Sequence, residues 1–134
     1  MGDNSEDVLD VIAALNEGDI DVVKEAIASK LVSVNCADKD GCTLLHWAAI
    51  NNRIEIANFL IESGLNRCSG GGVLYESPLQ WAIRKKFYGM ADLIVQKCHC
   101  DLAHRSKTGS DALDLACKLG LMVSYVCVKY LILF

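Results

Sequence analysis

The feature that most constrains this chain is a motif that recurs at a constant spacing. A turn, a helix-capping residue and a short run of small and apolar residues follow in the same order three times. The capping residues Thr43, Ser77 and Asp111 define a 34-residue period. Small residues keep the same period at Ala14, Ala48, Ala82 and Ala116. A repeat of this length indicates stacked helical units, because one unit alone cannot bury its apolar face.

Apolar periodicity predicts two helices in each unit. In the first unit Asp7 is expected to cap a helix from Val8 to Leu15, and Asp19 to begin a second helix that reaches Ser29. The later first helices are expected to begin after Thr43, Ser77 and Asp111. The later second helices are expected at residues 54–62, 88–97 and from 122 onward.

The head of the second unit reads Thr43-Leu44-Leu45-His46-Trp47-Ala48-Ala49. With the 34-residue period, it resembles the ankyrin repeat and its Thr-Pro-Leu-His-x-Ala signature. The resemblance implies an all-α ankyrin-repeat solenoid of about four helix-turn-helix repeats with β-turn fingers. It places a loose N-terminal segment at residues 1–6 and an ankyrin-repeat domain at 7–134. The repeats would span about 7–39, 40–73, 74–107 and 108–134.

The charge of the chain argues against a nucleic-acid partner. The net charge is −4, with a pI of about 5.3, whereas a nucleic-acid-binding domain normally has a basic face. Acidic residues crowd the N-terminal end at Asp3, Glu6, Asp7, Asp10, Glu17, Asp19 and Asp21. They are typical of a solvated capping surface, and the alternative is an acidic docking site.

The longest apolar tract, Leu121–Phe134, is interrupted only by Ser124 and Lys129. It is shorter than the roughly 20 residues that a membrane-spanning helix needs, so we predict no span in this chain. An exposed tract of this kind would associate with a second copy. We therefore expect self-association, and either further repeats after this tract or a truncated product.

Three groups of residues suggest chemistry that their context does not support. Cys98-His99-Cys100 with His104 could bind zinc, but a second ligand pair at matching spacing is missing. His46 has no serine or cysteine nucleophile placed to use it as a base, and the resemblance to the ankyrin repeat implies that it links neighbouring turns by hydrogen bonds. The Gly-rich segment 69–72 lacks the Gly-Lys-Ser/Thr ending of a phosphate-binding loop and is expected to form a finger. We predict no catalytic residue, no metal and no cofactor, and the seven cysteines indicate free thiols in a reducing compartment.

Two tryptophans suggest where a partner binds. Trp47 and Trp81 occupy equivalent positions of adjacent repeats, and so do Asn51 and Lys85, which follow them by four positions. Two indoles stacked on one face, beside an amide that can donate and accept, suit an extended proline-containing peptide. We predict a peptide-binding site at Trp47, Asn51, Trp81 and Lys85. The alternative is that both indoles only fill the core.

Two stretches carry a narrower resemblance. Residues 40–54 are very similar to the second ankyrin repeat of the DHHC palmitoyltransferases of the huntingtin-interacting type. Gly71-Gly72-Val73-Leu74 followed by Ser77-Pro78-Leu79-Gln80-Trp81-Ala82 resembles that family's Gly-Gly-x-Leu finger and its Ser/Thr-Pro-Leu-His-Trp-Ala motif. Gln80 stands where the family has histidine, and Arg84-Lys85-Lys86-Phe87 stands where it has a glycine-containing turn.

This resemblance implies a module that recruits substrates of a protein S-palmitoyltransferase on the cytoplasmic face of Golgi membranes. The partner would carry a short linear motif ending in Gln-Pro, held by the residues that match Asn51 and Trp81. The chain itself is not expected to be an enzyme, because its sequence has no Asp-His-His-Cys segment. It would then be a fragment, a short isoform or an incomplete product. The alternative function is an ankyrin scaffold or inhibitor of a folded partner unrelated to acylation.

Overall fold

A computed structural model describes residues 4–66, 70–98 and 103–120 of the 134-residue chain. Within these ranges the chain forms seven α-helices, no β-strand and two isolated β-bridges. The helices are α1 (Ser5–Asn16), α2 (Ile20–Ala28), α3 (Leu44–Ile50), α4 (Ile54–Glu62), α5 (Pro78–Arg84), α6 (Tyr88–Lys97) and α7 (Ala112–Lys118). The all-α fold class predicted from the sequence is confirmed.

The helices form two layers. Helices α1, α3, α5 and α7 pack side by side in one layer, and α2, α4 and α6 pack behind them in the second. Helices α1, α3 and α5 also pack on the second helix of their own unit, which is α2, α4 and α6 respectively. The core runs continuously between the layers and includes Leu15, Leu45, Leu60 and Met90, each with a fully buried side chain.

Alanines allow the first helices to approach one another. Ala48 and Ala82 are fully buried and Ala116 is 1% exposed, as expected for residues between stacked helices. Ala14 occupies the same repeat position on α1 but is only partly buried. A larger side chain at Ala48 or Ala82 would push two helices apart, which normally costs about 1–3 kcal/mol or more.

The predicted caps of α3, α5 and α7 are confirmed. Thr43, Ser77 and Asp111 each accept a hydrogen bond from the backbone N–H three residues on, and the residue at that third position bonds back to the cap. The start of α1 was predicted wrongly. Asn4, not Asp7, caps this helix, so Ser5 and Glu6 are helical although we expected them to belong to a loose segment.

The repeat is also visible in the backbone angles. Residues with positive φ follow the first helices at Gly18, Asn52, Lys86 and Gly120, with the same period as the caps. A left-handed residue at this point ends a helix and is most easily glycine. A second series lies in the fingers at Gly41, Tyr75 and Gly109. Glycine thus recurs where the repeat requires φ above zero. At three such positions another residue stands in place of glycine, namely Asn52, Tyr75 and Lys86.

Replacing Lys86 with glycine should raise the free energy of unfolding by about 1 kcal/mol, because a side chain at φ 60° costs about 1–2 kcal/mol that glycine does not incur. Lys86 is exposed and its side chain has no partner among the described residues, so little contact is lost. Urea unfolding measures the change. Asn52→Gly is the matched control and should gain less, since asparagine tolerates the left-handed region. A loss of stability in Lys86→Gly would contradict the assignment.

Several predictions fall outside the described residues. These are the helix expected from Met122 onward, the apolar tract Leu121–Phe134 with its expected self-association, and His99 and Cys100 of the Cys-His-Cys cluster. Across residues 4–66, 70–98 and 103–120, no helix combines the length and the apolar character needed to cross a bilayer.

Candidate functional site

Two fingers precede α3 and α5 and form one rim of the first-helix layer. The first is closed by an antiparallel bridge between Ala37 and Thr43, and the second by one between Gly71 and Glu76. The Gly-rich segment is therefore part of a finger, as predicted, although its first residue lies outside the described ranges. The fingers touch closely, since a Cβ on Gly71 would lie 2.9 Å from Cα of Cys42. The N–H of Gly72 also donates to the carbonyl of Asp40 at 3.1 Å.

His46 joins neighbouring units by hydrogen bonds. Its side chain is fully buried, and Nδ1 accepts from the backbone N–H of Thr43 at 3.1 Å. The proton therefore lies on Nε2, which donates to the carbonyl of Glu76 in the next finger at 2.7 Å. These contacts confirm the prediction that His46 links neighbouring turns.

Gln80 makes the equivalent pair of hydrogen bonds one repeat later. Its Oε1 accepts from the N–H of Ser77 at 2.8 Å, and its Nε2 donates to the carbonyl of Ser110 at 2.7 Å. A glutamine amide offers one acceptor and one donor at nearly the positions of the two ring nitrogens of neutral histidine. The departure from the family signature at this position therefore preserves the connection between repeats.

Trp47 and Trp81 lie side by side on the first-helix layer. Their ring centroids are 6.0 Å apart and their planes are at 86°, so the rings meet edge to face and are not stacked as we expected. The Trp81 ring also meets the His46 ring at 4.8 Å, and a Cβ on Gly72 would be 3.2 Å from its Cζ2 atom. Both indoles are only partly buried, so each presents surface to solvent.

The two indole N–H groups differ. Nε1 of Trp47 donates to the Asp38 carboxylate at 3.3 Å, and the ring packs against the hydrophobic core. Among the described residues, Nε1 of Trp81 has no hydrogen-bond partner. The alternative hypothesis is that both indoles only fill the core. It describes Trp47 in part, and it describes Trp81 less well.

Asn51 and Lys85 occupy equivalent places, as the C-cap residues of α3 and α5. The amide nitrogen of Asn51 donates to Oδ1 of Asn16 at 2.7 Å and to the carbonyl of Trp47 at 2.9 Å. Its donors are thus used, and its oxygen remains as an acceptor. Lys85 is exposed and its ammonium has no partner in the described part of the chain. We call the surface formed by Trp47, Asn51, Trp81 and Lys85 the tryptophan surface.

The site predicted from the sequence did not include Asp38. The Oδ1 atom of Asp38 accepts from the N–H groups of Asp40 at 2.9 Å and Cys42 at 3.0 Å, while Oδ2 accepts from Trp47. An aspartate that bonds the backbone two residues on is a common turn device, and Asp38 before Asp40-Gly41 is the signal for it. Its further bond to Trp47 depends on tertiary packing.

The finger environment changes the acidity of Cys42. Burial, together with the negative charges of Asp38 and Asp40, raises the pKa of the Cys42 thiol from 9.0 to about 11. The unfolded chain therefore releases this proton more readily, and the stability gained from Cys42 is present below pH 9 and is lost between pH 9 and 11.

We expect the difference in unfolding free energy between the wild-type chain and a Cys42→Ala variant to shift in favour of the variant from pH 9 to 11. Urea unfolding at several pH values measures it. Cys117→Ala, which removes an exposed thiol, should keep the wild-type loss of stability over the same range. A constant difference between wild type and Cys42→Ala would contradict the pKa assignment.

No metal-binding group of three His, Cys, Asp or Glu side chains occurs within the described ranges. Of the Cys-His-Cys cluster and its neighbour, Cys98 is buried and Nε2 of His104 lies 2.9 Å from the carbonyl of Tyr75. The four cysteines in the described part of the chain form no disulfide.

Comparison with known proteins agrees with this architecture. A family model described as ankyrin repeats (3 copies) matches residues 11–105. The chain is 40% identical over 86 residues to palmitoyltransferase Hip14 of Drosophila melanogaster and 38% identical over 87 residues to human palmitoyltransferase ZDHHC13. It is 36% identical over 109 residues to palmitoyltransferase AKR1 of Debaryomyces hansenii.

These three matches cover 64%, 65% and 79% of this chain. They span only 13%, 14% and 13% of the relatives' own lengths. The shared part is thus a small portion of each palmitoyltransferase, and this sequence has no Asp-His-His-Cys segment. The match to the family model covers well over half of the chain. The matched residues include the helix pairs and fingers described above. The chain belongs to the ankyrin-repeat family, whose repeats form protein-interaction modules.

Proposed function

We propose that this chain binds an extended segment of a partner protein on the tryptophan surface. The observation that carries the proposal is the edge-to-face pair of partly exposed indoles, 6.0 Å apart on adjacent first helices. A helix core does not require two tryptophans at this site, since the equivalent positions of α1 and α7 are Ala13 and Leu115. Aromatic surfaces of this kind suit proline in extended peptides.

The neighbouring polar groups suit the backbone of such a segment. The free oxygen of Asn51 can accept a hydrogen bond from a peptide N–H, and Nε1 of Trp81 can donate to a peptide carbonyl. Lys85 can donate to a second carbonyl or pair with an acidic group. We place the proline against Trp81, because its indole N–H is unused while that of Trp47 is bonded to Asp38.

We further propose that the chain is the substrate-recruiting part of a protein S-palmitoyltransferase. The similarity to three proteins named palmitoyltransferases supports this, as does the resemblance of residues 40–54 and 71–82 to the huntingtin-interacting type. On that basis the partner segment contains Gln-Pro, and the module works on the cytoplasmic face of Golgi membranes. Catalysis would belong to a segment that this sequence does not contain.

Isothermal titration calorimetry with a synthetic Gln-Pro peptide tests the proposal. One buried proline and a few backbone hydrogen bonds suggest micromolar affinity, about 7–9 kcal/mol. A peptide of the same sequence with Gln-Ala should bind much more weakly. Equal affinities for the two peptides, or no heat of binding with either, would refute the assignment of the motif.

The second candidate is a scaffold or inhibitor that grips a folded partner with its fingers. The tip of the second finger favours it, because Val73 is 89% exposed and Tyr75 is 51% exposed. Exposed apolar residues on a projecting turn suit a folded surface. Peptide display across a proteome separates the two candidates, since a module for folded partners would enrich no common linear motif.

A further inference from the structure

A groove lies beside Trp47, between α1 and the first finger. Its volume is about 670 Å³. Val8 and Leu9 of α1 form one apolar side, and the Trp47 ring forms part of the other. Leu9 is 58% exposed, so this side of the groove offers apolar surface to a ligand. The groove borders the tryptophan surface on the side away from Trp81.

Two carboxylates stand at the rim of this groove. Asp38 is held by two backbone N–H groups and by Nε1 of Trp47, all neutral donors that fix its position without cancelling its charge. Asp40 is exposed, and no side chain within the described ranges pairs with it. Lys39 lines the same groove, so the finger carries a net charge of −1 over residues 38–40.

The C-terminal end of α5 has the opposite charge. Lys85 and Lys86 at the end of α5 are exposed, and neither has an acidic partner in the described part of the chain. Arg84 is different, because it forms an ion pair with Glu76 at 2.8 Å. An extended segment that crosses Trp81 and Trp47 therefore runs from a basic to an acidic environment.

We propose that the groove receives a lysine or arginine side chain of the same partner segment that crosses the tryptophan surface. This inference rests on the proposed function. The aliphatic stem would lie along Leu9 and the Trp47 ring, as long cationic side chains commonly do. The cationic head would meet Asp38 and Asp40. Lys39 opposes this partner and limits the affinity.

The indole N–H signals of the intact chain provide the test. The chain has two tryptophans, so proton–nitrogen correlation spectra show two indole signals, which Trp47→Phe and Trp81→Phe variants assign. The probes are Gln-Pro peptides of equal length in which one residue, moved in turn along both flanks, is lysine, norleucine or glutamate. Norleucine keeps the length and apolar character of the lysine stem and removes the charge.

At one of the tested peptide positions, the lysine peptide should bind about tenfold more tightly than the norleucine peptide at low salt. The lysine peptide should also shift the indole signal of Trp47, whose N–H is bonded to Asp38. Asp40→Asn should remove this gain and leave the affinity of the norleucine peptide unchanged. Lys39→Gln should increase the gain. Glutamate at the same position should weaken binding.

Two signals separate this inference from the proposed function. If lysine peptides move the Trp47 signal in an Asp40-dependent way while Trp81 never responds, the groove assignment holds and the Gln-Pro site is wrong. If lysine at no position moves the Trp47 signal, or if the gain survives Asp40→Asn, the groove assignment is overturned whatever Trp81 does. A Trp47 signal that moves with protein concentration alone would place a second copy in the groove and also overturn it.

Discussion

Replacing Trp81 with alanine should weaken binding of a Gln-Pro peptide by about 30-fold or more, because truncating a tryptophan hot spot costs about 2–4 kcal/mol. The Trp81 ring has an exposed face and a free indole N–H, and it lies between the second finger and Trp47. Its loss removes both the surface for proline and a donor for the peptide backbone. Calorimetry on the wild-type chain and the variant measures the change.

The controls for this variant separate binding from folding. Trp81→Phe keeps an aromatic face and removes the N–H, so we expect an intermediate loss. Tyr88→Ala removes an exposed aromatic ring from α6, in the second layer, and should leave the peptide affinity unchanged. Unchanged affinity in Trp81→Ala would show that the peptide binds elsewhere.

Replacing His46 with leucine should lower the free energy of unfolding by about 2–4 kcal/mol, because a buried N–H left without a partner costs about 1–3 kcal/mol and the loss of a further hydrogen bond about 1 kcal/mol. Leucine fills similar space but leaves the N–H of Thr43 without a partner. The carbonyl of Glu76 loses the bond from Nε2 of His46 and keeps only the one from the N–H of Gly71 at 2.9 Å. Both groups belong to the junction between the second and third units. Urea unfolding followed by circular dichroism measures the loss.

His46→Gln is the matched control, and Gln80 is its precedent within the same chain. Glutamine at position 80 accepts from the cap N–H and donates to the next finger at 2.8 Å and 2.7 Å. His46→Gln should therefore lose no more than about 1 kcal/mol, the size of one hydrogen bond. If the leucine and glutamine variants lost equal stability, the packing of the ring rather than its hydrogen bonds would hold the units together.

Much of the fold could be predicted because the repeat fixes it at several levels. The constant period located the caps at Thr43, Ser77 and Asp111, and these side chains make the bonds expected of them. The start of α1 could not be chosen in this way. Asn4 and Asp7 are both good caps, and the residue one period before Thr43 is Leu9, which cannot cap a helix, so the period does not decide between them.

The candidate site could be predicted only in part. Periodicity indicates that Trp47 and Trp81 share a face, but the angle between their rings depends on how closely adjacent helices pack. The bond between Trp47 and Asp38 joins α3 to the finger before it, and it decides which indole N–H remains available. Whether the tryptophan surface binds a peptide stays a prediction until the titrations are done.

The edge-to-face indoles also have an optical consequence. Two identical chromophores held 6.0 Å apart at a fixed angle share their excited states. Their coupling adds a pair of oppositely signed bands to the far-ultraviolet circular dichroism, on top of the helical signal. Trp81→Ala should therefore alter this spectrum without any loss of helix, and helicity in that variant is better compared with Trp81→Phe alongside. The same coupled bands give a label-free signal for any ligand that separates or turns the two rings.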